Sequence, residues 1–181
     1  MPRPVFTDAS SAILLEKTGV FDAFSKTFRI IFSASVFTEI TRPGYPGADF
    51  FMVAFDNNVF DVVSYSETIL FPCCPGKQEM DLGERETLCL FLEKKQGYLL
   101  IDDGRAARWC RDKGLPFINA LLVPKILWYT GLMGQEDCLS KMEFLCRTGR
   151  YSQKIKDLAF SFEEKDLSFF ILEKNNDSFL F

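Results

Sequence analysis

Apolar runs of strand length alternate with stretches of helical spacing along most of the chain. Pro4 to Thr7 reads as a short strand running into Asp8, where Asp8-Ala9-Ser10-Ser11 forms a helix-opening signal. Helical spacing follows over 11–18 through Ile13, Leu14 and Leu15, and Gly19 breaks it. A short helix is predicted from Phe21 to Phe28, then a second strand from Arg29 to Ser33. Ser33 or Ser35 can cap the next helix, whose apolar positions are Val36, Phe37 and Ile40 and which Pro43-Gly44 ends. Residues 48–55 have helical character, Asn57-Asn58 marks a turn, and Val59 to Tyr65 is a third strand. Residues 66–80 show no period and contain Pro72, Pro75 and Gly76, as a loop does. The clearest helix spans 82–96 and stops at Gly97. Tyr98 to Ile101 is a fourth strand ending at Asp102-Asp103, a helix over 104–113 ends at Gly114, and 116–118 is a fifth strand. From about residue 120 the chain is mostly helical, with an irregular aromatic end from Phe160 to Phe181. Strands alternating with helices predict an α/β fold whose central parallel sheet of four to five short strands is covered on both faces. Residues 1–133 are expected to form this domain, and 134–181 a mostly helical extension packed on it or in an interface.

In such sheets, sites form just beyond the carboxyl ends of the strands. Asp8 directly follows the first strand and Asp102 the fourth. Glu84 lies in the first turn of the clearest helix and shares one helical face with Leu88, Phe91 and Lys95, so it is an acid at the end of a buried stripe. Glu86 sits about 200° further round and reads as a favourable charge near a helix N-terminus. Glu39 lies on the helix after the second strand, beside Val36 and Ile40. Each acid has an ordinary structural alternative. Asp8 can be an N-cap, Asp102 or Asp103 another, Glu84 a partner of the helix dipole, and Glu39 a half-exposed surface acid. Carboxylates gathered at one edge repel one another unless a cation neutralises them. Hard oxygen donors without His or Cys select Mg²⁺ or Mn²⁺, and such an ion polarises a phosphate oxygen and acidifies a bound water. The reaction this chemistry points to is phosphodiester hydrolysis.

Composition narrows the alternatives. The chain has 181 residues, 48% hydrophobic and 25% charged, which suits one globular domain with a terminal extension. Its 20 Phe residues point to a Phe-rich core, and Trp109 is read with that core. A net charge of −4 argues against broad non-specific nucleic-acid binding, while leaving room for a local basic rim or a basic partner. There is no His, and the six Cys (73, 74, 89, 110, 138 and 146) form no C-x-x-C pair. Zinc sites and Ser-His-Asp or Cys-His catalysis are therefore not expected. Cys89, Cys110 and Cys146 fall within helical patterns as buried thiols, whereas Cys73 and Cys74 lie in the loop before Pro75. No apolar run reaches the ~20 residues that span a bilayer, and the first residues contain no secretory h-region, so a cytoplasmic protein with reduced thiols and no membrane association is expected. There is neither a P-loop nor a G-x-G-x-x-G, and Asp8-Ala9-Ser10 lacks the second Asp of the D-x-D pair typical of aspartyl phosphotransfer.

Four segments carry a family resemblance. Val5-Phe6-Thr7-Asp8-Ala9-Ser10-Ser11 resembles the first-strand motif of PIN domains, and Ser35-Val36-Phe37-Thr38-Glu39-Ile40 resembles their second acidic motif. Gly83-Glu84 resembles the Gly-Glu helix start of one subgroup, and Leu99-Leu100-Ile101-Asp102-Asp103 with Arg105 and Arg108 resembles its LLIDD segment. The likeness covers residues 4–133 and is to the VapC-like group of toxin ribonucleases. Ala106-Ala107 between the arginines and the doubled Asp102-Asp103 depart from the pattern. The resemblance implies a three-layer α/β/α fold and Mg²⁺- or Mn²⁺-dependent cleavage of RNA. It further implies a homodimer and inhibition by a small antitoxin protein; the alternative is a PIN-like binding or regulatory module without turnover. By resemblance, Asp8, Glu39, Glu84 and Asp102 are the catalytic acids. Asp8, Glu84 and Asp102 hold the metal, with Asp103 as rival for the fourth ligand. Glu39 acts through water, Ser10 supports the site, and Arg105 and Arg108 meet RNA phosphate. The aromatic tail with Phe169, Phe170, Phe179 and Phe181 is expected to pack in a dimer or antitoxin interface.

Overall fold

The computed structural model describes residues 3–65 and 80–171. Among these, five parallel strands form one sheet in the order β3-β2-β1-β4-β5: β1 (Pro4–Thr7), β2 (Arg29–Ser33), β3 (Asp61–Val63), β4 (Tyr98–Leu100) and β5 (Phe117–Ile118). The central strand sets the register, with Val5 opposite Ile30 and Tyr98, and Phe6 opposite Ile31 and Leu99. Side chains alternate along a strand. Val5, Ile30, Phe32, Tyr98 and Leu100 therefore enter one core, while Phe6, Ile31 and Leu99 enter the other. Both faces are covered, so the strands read as unbroken apolar runs rather than as alternating ones. The larger core is closed by α1 (Ala9–Thr18), α2 (Phe21–Thr27), α3 (Ala34–Ile40) and α4 (Ala48–Asp56), and the smaller by α5 (Leu82–Lys94) and α6 (Gly104–Asp112). Three layers result, as expected.

Local differences from the expected elements have local causes. The strand expected over Val59 to Tyr65 is only Asp61–Val63, because Asn58 turns the chain with φ 55° and Phe60 drops into the core against Phe32. Ser33, not Ser35, caps α3, accepting from the Val36 N–H at 3.2 Å. Helix α5 ends at Lys94 rather than 96, where Lys95 takes the left-handed conformation at φ 50°. Gly97 (φ 90°) serves a different purpose: a Cβ there would stand 2.2 Å from the Pro4 carbonyl oxygen. The entry to β4 thus passes too close to β1 for any side chain. Gly97→Ala is expected to destabilise the fold by roughly 3 kcal/mol, combining a positive φ with an unyielding backbone contact. A thermal melt checks this, and a shift of less than about 3 °C would contradict it. Residues 66–79 of the loop expected at 66–80, with Cys73 and Cys74, lie outside the described residues, and Met80 at its end is buried in the smaller core.

The chain beyond residue 133 contributes to the same large core. Cys138, Met142 and Leu145 of α8 (Gln135–Thr148) and Ala159 of α9 (Gln153–Ser161) join it, beneath α7 (Val123–Tyr129). Lys125, 5% exposed, donates to the carbonyls of Phe160 and Phe162 at 2.7 and 2.6 Å, which ties the end of α9 to α7. Phe170 in α10 (Ser168–Ile171) is fully buried against Phe24, Phe28 and Tyr98. Expected in an intermolecular interface, that ring instead fills this chain's own core. Phe169 is exposed, and Phe179 and Phe181 lie outside the described residues. Cys89 is buried, Cys110 and Cys138 are buried free thiols, and Cys146 is half-buried rather than buried. Among the described residues, no helix is long and apolar enough to cross a membrane.

Candidate active site

The strand order reverses between β1 and β4, so the chain leaves the sheet in diverging directions there and opens a crevice at their carboxyl ends. Asp8 caps α1 at that point and is 2% exposed. Its Oδ1 accepts from the Ser11 N–H at 2.7 Å, and its Oδ2 from the N–H groups of Asp102 and Asp103 at 3.1 and 3.3 Å. Three backbone donors therefore orient the carboxylate across the β1–β4 junction. Burial, and then the charge of Asp102, nonetheless push the Asp8 carboxyl up to about 7.

Asp102 is held from three sides. Its Oδ2 accepts from the Ser11 hydroxyl at 2.7 Å and from the Ala120 N–H at 2.8 Å, and its Oδ1 from the Tyr151 hydroxyl. Burial raises its pKa, opposed by these three donors. Asp103 caps α6, with Oδ1 accepting from the Arg105 and Ala106 N–H groups at 2.7 and 3.0 Å. The two neighbours thus divide the work, Asp102 facing the Asp8 side and Asp103 opening a helix.

Glu84 stands at the start of α5, its Oε2 3.4 Å from the Asp81 N–H. Burial, and then the Asp103 charge, push its carboxyl up to about 7. Gly83 explains the Gly-Glu helix start: a Cβ there would meet the Val36 side chain at 3.1 Å, so glycine lets α5 lie against α3. Such a Cβ would also stand 3.6 Å from Glu39 Oε2, which places Glu39 beside this helix end. Glu39 is exposed, and its pKa is raised by burial of part of the carboxyl and by Asp81. Glu86 does not simply decorate its own helix start. It accepts from the Ser35 N–H at 3.2 Å, neutralising the N-terminus of α3.

The supporting residues differ from those expected. Ser10 is exposed, and its neighbour Ser11 makes both contacts to the acids. Arg105 is engaged within the acidic cluster, 3.2 Å from Asp81 and 4.0 Å from Asp103, while Arg108 is exposed on α6. Trp109 is partly buried against the smaller core with Lys113 over its ring. Asp81, Ser11 and Tyr151 were not singled out from sequence. Asp81 is legible as the N-cap three residues before Glu84, and Ser11 as the third residue after a capping Asp. Tyr151 lies 49 residues from Asp102 and leaves no local signal.

The donors are all carboxylate oxygens, which suits a hard divalent cation in kind. They stand in neighbouring pairs, Asp8 with Asp102 and Glu84 with Asp103. Among the described residues no three acidic or thiol groups already enclose a metal position.

A parallel α/β/α sandwich with acids collected at its switch point belongs to the class of α/β proteins whose chemistry resides at the sheet's carboxyl edge. The chain is a member of the PIN-domain family: the family model DUF3368, a PIN domain, matches residues 4–155. That span runs past residue 133 and includes α8 and Tyr151. PIN domains are generally nucleases, so the chain belongs to a family of hydrolases acting on nucleic acid. No curated protein matches it.

Proposed function

We propose that this PIN protein is an Mg²⁺- or Mn²⁺-dependent endoribonuclease, acting as the toxin of a toxin–antitoxin pair. The observation that carries the proposal is the pairing of Asp8 with Asp102 and Glu84 with Asp103, where burial and like charge raise both Asp8 and Glu84 to about 7. Carboxylates held together against their own repulsion form a site that gains stability from a cation. Asp8, Glu84, Asp102 and Asp103 are the residues that would hold it. A bound divalent ion would supply Lewis-acid polarisation of a phosphodiester and a water of lowered pKa. The chain's own groups do the rest. Three backbone N–H groups fix the Asp8 carboxylate, Ser11, Ala120 and Tyr151 fix that of Asp102, and exposed Glu39 orients a water at the rim. The proposed partners are an RNA substrate, a second copy of the chain and a small inhibitory antitoxin.

A pool of RNA incubated with the purified chain tests the activity. Cleavage is expected with Mg²⁺ or Mn²⁺, none with EDTA, and a loss of at least 100-fold in Glu84→Gln, which keeps the shape of the side chain but removes its charge. Induced expression should arrest growth of the host, with Glu84→Gln relieving the arrest. Equal cleavage by the two proteins would place the activity elsewhere or in a contaminant. A folded protein that binds RNA but never cleaves it would leave a binding module without turnover.

A further inference from the structure

A cavity of about 730 Å³ opens beside the acids, with Asp102 and Asp103 in its wall. Its other walls come from α1, α6, the end of β5 and the turn after it, the turn before α9, and α9 itself. We infer that this cavity seats one nucleotide flanking the scissile phosphate of single-stranded RNA, with Arg111 and Arg150 meeting phosphate and Ile155, Leu158 and Phe162 meeting the base. The inference rests on the ribonuclease function proposed above and adds to it a strand specificity and a set of contact residues.

The volume suits one small ligand unit, since cavities of roughly 300–1,000 Å³ take molecules of nucleotide size. Two of its apolar residues are conspicuously wet: Ile155 is 40% exposed and Leu158 52%. Both lie on α9 and line the cavity together with half-buried Phe162. An apolar wall open to water inside a cleft is a surface against which an unstacked base gains by burial, and every base presents a flat apolar face. A base paired in a duplex reaches such a wall only after unstacking and unpairing, at a cost of roughly a few kcal/mol that a single strand does not bear, so the favoured occupant is a single strand.

The charges point the same way. In a chain of net charge −4, RNA needs local cations near the acids. Arg105 is held by Asp81 and Asp103. Arg111, in the last turn of α6, and Arg150, just before Tyr151, both line this cavity and are exposed. Neither guanidinium has a hydrogen-bond or ion-pair partner among the described residues. Arginine meets phosphate with paired N–H donors. Two arginines without a partner among the described residues, an apolar wall, and Asp102 and Asp103 share one cleft, and the residue after Arg150, Tyr151, hydrogen-bonds Asp102 itself. A docked hydrophobic peptide would use the apolar wall but would have no need of the two guanidinium groups.

Fluorescence anisotropy with a labelled single-stranded 12-nucleotide RNA in EDTA reads binding apart from cleavage. Arg111→Gln/Arg150→Gln is expected to weaken binding at least tenfold and to reduce the slope of log affinity against log salt by about 1.4, the value for two phosphate contacts on a single strand. Lys17→Gln/Lys26→Gln, which removes the same charge from α1 and α2, should weaken it less than twofold. Leu158→Ser should weaken the RNA at least threefold and leave an abasic strand of equal length unchanged. A duplex of the same sequence should bind more weakly than the single strand. Equal losses in the two double variants, an unchanged affinity in Arg111→Gln/Arg150→Gln, or no RNA binding by the wild type would overturn the proposal. Unchanged affinity would also leave the apolar wall to a protein partner. Should the wild type bind RNA through these arginines yet cleave none with Mg²⁺ or Mn²⁺, the ribonuclease function fails and the cavity assignment stands.

Discussion

Asp8→Asn should abolish RNA cleavage, lowering the rate by about 1,000-fold, equivalent to ~4 kcal/mol of barrier, while leaving a folded protein. Asp8 is the acid on which the site converges. It is 2% exposed, leaves the central strand of the sheet, and receives N–H donors from both its own helix and the β4 end. Asparagine keeps the shape and one acceptor oxygen. It removes the negative charge that a cation needs, and turns an amide NH₂ toward one of the backbone donors. The unmet donor costs about 1–3 kcal/mol, offset in part because a buried charge beside Asp102 disappears. Circular dichroism and a thermal melt verify the fold, and cleavage with Mg²⁺ or Mn²⁺ gives the result. Retention of more than a tenth of wild-type activity in the folded variant would falsify a central role for Asp8. If the variant misfolds, Glu84→Gln carries the test, because Glu84 is only half-buried.

Lowering the pH from 8 to 6 should raise the Mg²⁺ concentration needed for half-maximal activity by about 100-fold, since a proton competes for each of two groups that titrate near 7. Both are raised, Asp8 by burial and then Asp102, Glu84 by burial and then Asp103. The sign for stability runs opposite to that of an ordinary salt-bridged acid. A folded pKa above the unfolded value means that the folded state binds the proton more tightly. The contribution of these acids is then fully present below about pH 4 and is lost as pH rises through 7. In EDTA the melting temperature should therefore fall by roughly 5 °C between pH 5.5 and pH 8. Mg²⁺ at pH 8 should restore it, because binding to the folded state alone stabilises it. A half-maximal Mg²⁺ concentration that is flat across this range, with a melting temperature that rises toward pH 8, would show that the acids ionise normally and do not crowd one another.

How much of the site is legible in the sequence depends on how far each contact reaches. Asp8 and Asp102 are placed by strand ends, and strand ends follow from short apolar runs with breakers after them. Glu84 is placed by the phase of one helix, and Asp103 by its position before another. These are local relations, and a parallel sheet carries them to one edge. The boundaries of the third strand and of α5 were less legible, because Phe60 packs into the core against distant Phe32, and because exposed Lys95 closes its helix in a left-handed conformation that a non-glycine residue seldom adopts.

The pattern of residues by itself determined the α/β class, the carboxyl-edge location of Asp8 and Asp102, and the absence of any His-based chemistry. Tertiary structure alone decided which oxygen of each acid is occupied and by what. Ser11 rather than Ser10 meets the acids, Tyr151 reaches Asp102 across 49 residues, Glu86 serves the far helix α3, and Arg105 is held by Asp81 while Arg111 and Arg150 line the cavity. The physical reason is that a side chain's direction follows from its own backbone, whereas its hydrogen-bond partner is whatever the packed core brings within about 3 Å, and that depends on elements the local sequence does not contain.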